Sequence, residues 1–251
     1  MVNPVNRNTL TVLVCVFALL VTGCATTGST KPARHPAEGP AEAEGDGGWW
    51  YVRYGILWPE NTEPAWNVDM MLADRVVGPV LERHRHDITL WRFHRRAARD
   101  GAGHQFSFIF FSSPQRAHDV MGDLQTNQTL KAMKSQGLIV RESYDSTSSV
   151  TKPKMEDTSD AKWSPPVQKA WPYFIMGVSE MWLRLIQHAR GQIQGDKSPE
   201  SLAETLNTYR QVNTKIVETW RDEGRHAFLH HLNALFGYEP LVVYERKLMG
   251  F

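Results

Sequence analysis

The residues best suited to chemistry lie near the C-terminus, in the stretch "EGRHAFLHH" at 223–231. On a helix, Glu223, His226 and His230 share one face, because positions three and four apart are neighbours there. Glu-x-x-His is one half of the pattern that holds a di-iron centre in helical bundles. The sequence contains no second copy, and no His-Glu-x-x-His of a zinc protease. Two interpretations stay open: a metal-dependent enzyme, or histidines at the surface of an amphipathic helix.

Arginine and histidine are concentrated in "RHRHDITLWRFHRRAAR" at 83–99. A guanidinium group is always charged and binds a carboxylate or phosphate through paired hydrogen bonds. We expect a partner-binding surface there, suited to an envelope protein or to an anionic glycan or lipid. Its members would be Arg83, Arg85, Arg92, Arg95 and Arg96. The alternative is a solvated helix end followed by the outer side of an edge hairpin.

The third chemical candidate is Cys24, which follows an apolar run from Leu10 to Val21. That run is too short to cross a membrane, which takes roughly 20 apolar residues, but it suits the core of a secretory signal. The junction Val21-Thr22-Gly23-Cys24 resembles the lipobox of bacterial lipoproteins. The resemblance is confined to this leader.

Membership of the lipoprotein class implies that the Cys24 thiol receives a diacylglycerol, with further acylation such as palmitate on the new amino group. Residues 1–23 would be removed as a signal peptide, and the protein would be held at the periplasmic face of the outer membrane. Ala25 stands where aspartate often retains such proteins in the inner membrane. The alternative is an ordinary cysteine after a conventional signal.

Composition narrows the range of functions. A net charge of +1 argues against a dedicated nucleic-acid binder, and 41% hydrophobic residues with nine tryptophans indicate a globular protein. Gly-x-Ser-x-Gly, phosphate-binding and dinucleotide-binding motifs are absent from the sequence. These features favour a non-enzymatic binding or assembly module without a cofactor. The abundant aromatic residues leave a carrier or sensor of an apolar ligand, held between sheet and helices, as an alternative.

Two polar stretches divide the chain. Residues 24–48 carry Gly, Pro, Ala and charge without a large apolar side chain, so they are expected to form a flexible tether spanning about 25 Å. Residues 145–164 have a similar composition and are expected to be a linker.

The segment 49–144 shows the periodicities of an α+β domain. Strands are predicted at 49–57, 89–97, 104–111 and 138–144 from their alternating or β-branched patterns. One helix is predicted from a Thr62 cap, with Pro79 kinking or ending it. Another is predicted from Ser113 and Pro114 to Gly137. The resulting β-α-β-β-α-β order predicts a ferredoxin-like, four-stranded antiparallel sheet with helices on one face.

Residues 165–251 are predicted to form a long helical hairpin that covers the other face of the sheet. Its first helix spans 165–192, and the second ends near Gly237 and Pro240. The stretch 240–248 could add an edge strand.

Overall fold

The structure is a computed structural model that describes residues 47–195 and 201–240. It has a mixed α+β architecture with a four-stranded antiparallel sheet and a long helical region, as the sequence predicts at that level. The predicted signal peptide with Cys24, nearly all of the tether and nearly all of the strand at 240–248 lie outside the described residues.

The sheet consists of β1 (Gly48–Ile56), β2 (Leu90–Ala97), β3 (His104–Ser112) and β4 (Ile139–Tyr144). Its strand order is β2-β3-β1-β4, and each neighbouring pair is antiparallel. Successive side chains of a strand point to opposite faces of the sheet, so every second side chain faces the helices. Those side chains form the main hydrophobic core with the helices. The cross-strand pairs on this face include Trp50–Phe110, Val52–Phe108 and Tyr54–Phe106.

Helices connect and flank these strands. In chain order the α-helices are α1 (Trp66–Met71), α2 (Gly78–Arg83), α3 (Pro114–Thr126), α4 (Gln128–Ser135), α5 (Pro165–Gln194), α6 (Leu202–Gly224) and α7 (His231–Leu235). Wider π-helical turns lie at Leu72–Val77 and Arg225–His230, and a 3-10 turn lies at Met155–Thr158. No helix in the described parts of the chain has both the length and the apolar character needed to span a membrane.

Helix ends test the predicted caps. The Ser113 hydroxyl accepts a hydrogen bond from the Arg116 amide at 3.4 Å, which confirms this N-cap. Gly137 follows α4 with φ +69°, a conformation that suits glycine at a helix end. The predicted Thr62 cap is wrong, because its hydroxyl donates to the Pro59 carbonyl and α1 begins at Trp66.

Pro79 does not end the first helical region, which continues through α2. A proline lacks the amide hydrogen that an α-helix needs, and its ring crowds the preceding turn. The π-helical turn before it absorbs this disturbance: the Gly78 amide donates to the Ala73 carbonyl, one residue further back than in an α-helix.

The helical hairpin packs at the edge of the sheet. Ser179 of α5 is buried, and its hydroxyl accepts a hydrogen bond from the Phe93 amide of edge strand β2 at 3.1 Å. Leu183 and Ile186 of α5 join the main core, as does Val212 of α6. The hairpin therefore extends the core that lies on the helical face of the sheet, and the prediction that it covers the other face is wrong. Among its described residues, only Met176 of α5 packs against the buried cluster on that other face.

The second face of the sheet is covered in part by the segment predicted as a linker. A small buried cluster of Trp49, Leu90 and Ile109 packs there against Met155 and Met176. The Trp49 indole donates to the carbonyls of Lys154 and Met155 at 3.0 Å. Composition does not reveal this packing, because the segment is held mainly through its backbone carbonyls.

The buried carboxylate of Asp74 links the first helical region to the hairpin through hydrogen bonds. Asp74 lies in the π-helical turn, and its Oδ2 accepts hydrogen bonds from the Tyr209 hydroxyl at 2.5 Å and from Arg190 Nε at 2.6 Å. Burial, and then the Asp74 charge, raise the pKa of Tyr209 well above its ordinary value. The phenol is therefore a hydrogen-bond donor at any physiological pH.

Candidate ligand-binding groove

Arg95 lies on β2, two residues after Phe93 and four after Trp91, so it is on the same face of the strand as these two residues. That face is the one that packs against the helices. Its guanidinium carbon is 4.8 Å from the ring centre of Trp66 and 4.7 Å from that of Trp182. Its Nη2 donates to the Trp66 carbonyl at 3.3 Å. Burial lowers the pKa of Arg95, and Asp69 opposes this shift. The side chain remains a cation held against two indoles.

Asp69 and His104 complete a buried polar cluster with Arg95. Both side chains are fully buried, and Asp69 Oδ2 lies 2.8 Å from His104 Nε2 and 3.5 Å from Arg95 Nη2. The Trp66 ring lies beside His104 at a centroid distance of 4.9 Å. The cluster thus joins α1, β2 and β3 at one point.

Not every polar atom of the cluster has a hydrogen-bond partner in the part of the chain that the structure describes. Among the described residues, Asp69 Oδ1, Arg95 Nε and His104 Nδ1 are buried without a hydrogen-bond partner. Native structures contain few such atoms, and departures from the rules of folding concentrate at functional sites. The cluster is therefore a candidate site.

An apolar groove of about 450 Å³ opens beside Arg95, between α1, α5 and α6. Its walls are predominantly apolar and aromatic. They comprise Trp66, Met70, Arg95, Met181, Trp182, Leu185, Asn213, Ile216, Val217, Thr219, Trp220 and Phe228. We call this feature the Trp groove.

Trp220 forms the exposed rim of the Trp groove. Its indole is 57% exposed and stacks on Phe228 with a centroid distance of 6.1 Å. Gly224 lies against this indole, and a Cβ atom there would approach Trp220 Cε3 to 2.9 Å. Glycine thus lets the indole lie close to the helix backbone.

The arginines predicted to form a partner surface are separated in the structure. Arg83 pairs with Asp123, and Arg85 pairs with Glu82, at the end of α2. The three others lie on β2, with Arg95 on the helical face and Arg92 and Arg96 on the opposite face. The five side chains therefore do not form one surface.

The opposite face of β2 carries a smaller cationic cluster. Arg92 Nε donates to the Thr158 hydroxyl at 3.3 Å, while Arg96 pairs with Asp100. Burial lowers the pKa of Arg92, and the phenol of Tyr51 opposes this shift. Partial burial, followed by the charges of Arg92 and Arg96, lowers the pKa of His94.

Glu223, His226 and His230 lie at the end of α6 and in the following π-helical turn, and all are exposed. The rings of His226 and His230 stack at a centroid distance of 5.1 Å. Within 47–195 and 201–240, no three His, Cys, Asp or Glu side chains are grouped so that they could hold a metal ion. The metal hypothesis therefore has support from the sequence pattern alone.

Asp69 and His104 were missed by the sequence analysis, although a signal exists. Asp69 follows Trp66 by three positions and precedes Ala73 by four, so it lies in the apolar helical phase. His104 begins the alternation that continues through Phe106. A polar residue in an apolar phase is the pattern that would have identified both.

Comparison with known proteins leaves the family of this chain undefined. No protein-family model matches the sequence, and no curated protein matches it. The crystal structure of TsrL is similar with a TM-score of 0.36 and 12% sequence identity. The match covers 74% of this chain and 55% of that chain, so this chain spans about half the length of TsrL. Similarity at this level implies no shared function.

Proposed function

We propose that the protein is an outer-membrane lipoprotein whose periplasmic domain is a binding module, and that its ligand is an apolar molecule held in the Trp groove. The observation that carries this proposal is the groove itself. Its volume of about 450 Å³ falls within the range of roughly 300–1,000 Å³ that is usual for small-molecule sites. Predominantly apolar and aromatic walls with a few polar groups are typical of such sites.

The proposed location rests on the Val21-Thr22-Gly23-Cys24 junction. Two or three acyl chains hold a protein at a membrane, since each buried methylene contributes about 0.8 kcal/mol. The polar segment 25–48 would let the domain reach ligands or partners in the periplasm. A carrier or sensor of an apolar ligand is compatible with such an anchor.

We also propose that residues 49–144 form a ferredoxin-like domain. Support comes from the order of strands and helical regions along the chain and from the strand order β2-β3-β1-β4. This fold hosts many unrelated functions, so the proposed activity depends on the Trp groove alone.

An anionic envelope partner at the outer face of β2 is a second candidate. Arg92 is half-buried and pairs with a hydroxyl, and Lys152 lies over the Tyr51 ring of β1 at 3.7 Å. Arg53 of β1 lies over the same ring at 4.5 Å but is paired with Asp145. Vesicles with and without phosphatidylglycerol test this candidate. Arg92→Gln should weaken binding to the anionic vesicles, whereas Arg83→Gln should not.

The groove is tested with lipid-free chain beginning at Ala25, which retains every described residue. Native mass spectrometry detects a retained small molecule, and the neutral fluorophore N-phenyl-1-naphthylamine probes the emptied groove. We expect saturable binding of the probe. Val217→Glu should weaken it about tenfold or more, because it places a charge on an apolar wall.

Leu235→Glu is the matched control, since Leu235 is 84% exposed and lies outside the groove lining. It should leave probe affinity unchanged. A wild-type protein that neither retains a molecule nor binds the probe would disprove the groove function.

A further inference from the structure

We propose that the Trp groove selects amphiphiles with one apolar chain and an anionic head group, and that Arg95 binds the head group. This inference rests on the proposed function of the groove and adds the chemical class of its ligand. Among the described residues that line the groove, Arg95 alone carries a formal charge. The other lining residues are apolar, apart from Asn213 and Thr219 and the indole N–H groups.

Arg95, which lines the groove, retains hydrogen-bonding capacity. Its Nη2 is used by the Trp66 carbonyl and lies near Asp69, whereas Nη1 has no hydrogen-bond partner in the described parts of the chain. The side chain is 26% exposed and belongs to the groove wall. A carboxylate or phosphate oxygen could therefore accept from Nη1.

The indoles orient the guanidinium for this role. Trp66 and Trp182 both lie against it, at 4.8 Å and 4.7 Å between the guanidinium carbon and the ring centres. Contacts with ring faces leave the N–H groups along the edge of the guanidinium plane, so an anion in that plane can accept from Nη1. The same indoles belong to the apolar wall, so head group and chain would be bound side by side.

Asp69 forms only a long ion pair with Arg95 and leaves the guanidinium able to bind a second anion. Its Oδ2 is 3.5 Å from Arg95 Nη2, a longer separation than the 2.8 Å to His104 Nε2. The carboxylate therefore makes its shorter hydrogen bond with the histidine and does not bind Arg95 in a bidentate manner. An anionic head group would add a closer anionic partner than Asp69, which lies at 3.5 Å.

The test compares dodecanoate, dodecyl phosphate and dodecan-1-ol as competitors of N-phenyl-1-naphthylamine, below their micellar concentrations. We expect the two anions to bind the wild-type lipid-free chain at least about tenfold more tightly than the alcohol. Arg95→Met should abolish this preference while alcohol affinity changes by less than about threefold.

Two further variants keep the test informative if Arg95→Met does not fold. The pair Asp69→Asn with Arg95→Met removes both charges, and it should also lose the preference. Arg95→Lys keeps the charge without the planar fork, and it should retain only part of the preference. Arg85→Met is the matched control, because Arg85 pairs with Glu82 outside the Trp groove.

The outcomes separate this inference from the proposed function. If the alcohol and the anions bind equally, or if the preference persists in Arg95→Met or in the double variant, the role of Arg95 is disproved while the groove stands. If neither the probe nor any of the three amphiphiles binds, both proposals fail. If only dodecanoate is preferred over the alcohol, the head group is a carboxylate; preference for dodecyl phosphate alone identifies a phosphate ester.

Discussion

At the scale of single residues, the most informative feature is the cluster of Asp69, Arg95 and His104. Each is a polar side chain in a position where the local periodicity is apolar, and Asp69 and His104 are fully buried. Replacing a buried ion pair by apolar residues of similar volume is often neutral or stabilising, whereas removing one partner costs about 3–5 kcal/mol. Stability alone therefore does not account for three such residues, whereas the proposed binding of an anionic ligand at Arg95 would give them a role.

His94 leads to a prediction about pH. Partial burial and the charges of Arg92 and Arg96 lower its pKa in the folded protein. We expect Arg92→Gln to raise the pKa of His94 toward the ordinary value of about 6.5, because one of the repelling charges is removed. Proton NMR titration of the ring measures this shift. Arg83→Gln should leave the titration unchanged, since Arg83 contacts Asp123 instead.

The same shift makes stability depend on pH. The folded state binds the His94 proton less tightly than the unfolded chain does. Its contribution to stability is therefore full above about pH 6.5 and is lost as the pH falls through the lower folded pKa. His94→Gln should reduce the loss of stability between about pH 7 and pH 5. An unchanged profile in this variant would contradict the assigned shift.

At the scale of elements, specific polar contacts attach the helical hairpin to the rest of the fold. Ser179 binds the backbone of edge strand β2, which supplies one of the unpaired amides that an edge exposes. Asp74 binds one residue from each helix of the hairpin, Arg190 and Tyr209. These contacts place α5 and α6 so that their apolar side chains form the outer walls of the Trp groove.

Tyr209→Phe tests the attachment through Asp74. The variant removes a hydrogen bond to a charged group, and we expect a loss of about 1.5–3 kcal/mol in the free energy of unfolding. Denaturant titration measures it. Arg184→Ala removes an exposed ion pair with Glu180 and should cost only about 0–1 kcal/mol. Equal effects of the two variants would show that the buried bond does not hold the hairpin.

At the scale of the whole molecule, the proposed anchor at Cys24 and the Trp groove would act together. A ligand carrier gains from being held in the membrane where amphiphiles are concentrated, and a tether of about 25 Å would let the domain move away from that surface. Both the proposed anchor and nearly all of the proposed tether lie among residues that the structure does not describe.

Cys24→Ser provides the decisive variant for the anchor. Expressed in a Gram-negative bacterium, the wild-type chain should begin at Cys24 and carry the mass of its acyl chains. The variant should lack acyl mass and keep residues 1–23, because the lipoprotein signal peptidase requires the modified cysteine. Intact-protein mass spectrometry measures both. A wild-type product with a free thiol, or one starting elsewhere, would refute the lipoprotein assignment.

Local signals were sufficient for much of the architecture. Alternating side chains predicted β2 and β3 to within about a residue or two, and the Ser113 cap depends on atoms only three residues apart. Two features were not predictable in this way. The Thr62 hydroxyl bonds within its own loop instead of capping α1, and the composition of the segment 145–164 gave no sign that its backbone carbonyls would accept from the indole of the distant Trp49.

The sequence by itself determined the strand and helix periods, the α+β class and the expectation of a lipidated N-terminus, because each depends on residues that are near one another in the chain. Only the tertiary structure decided that Arg95 separates from the other arginines, that it meets Asp69 and His104, and that Trp66 and Trp182 lie against it. Arg95 lies on β2, and these partners come from α1, β3 and α5. Their meeting is set by how a buried core closes around the sheet, which no local pattern encodes.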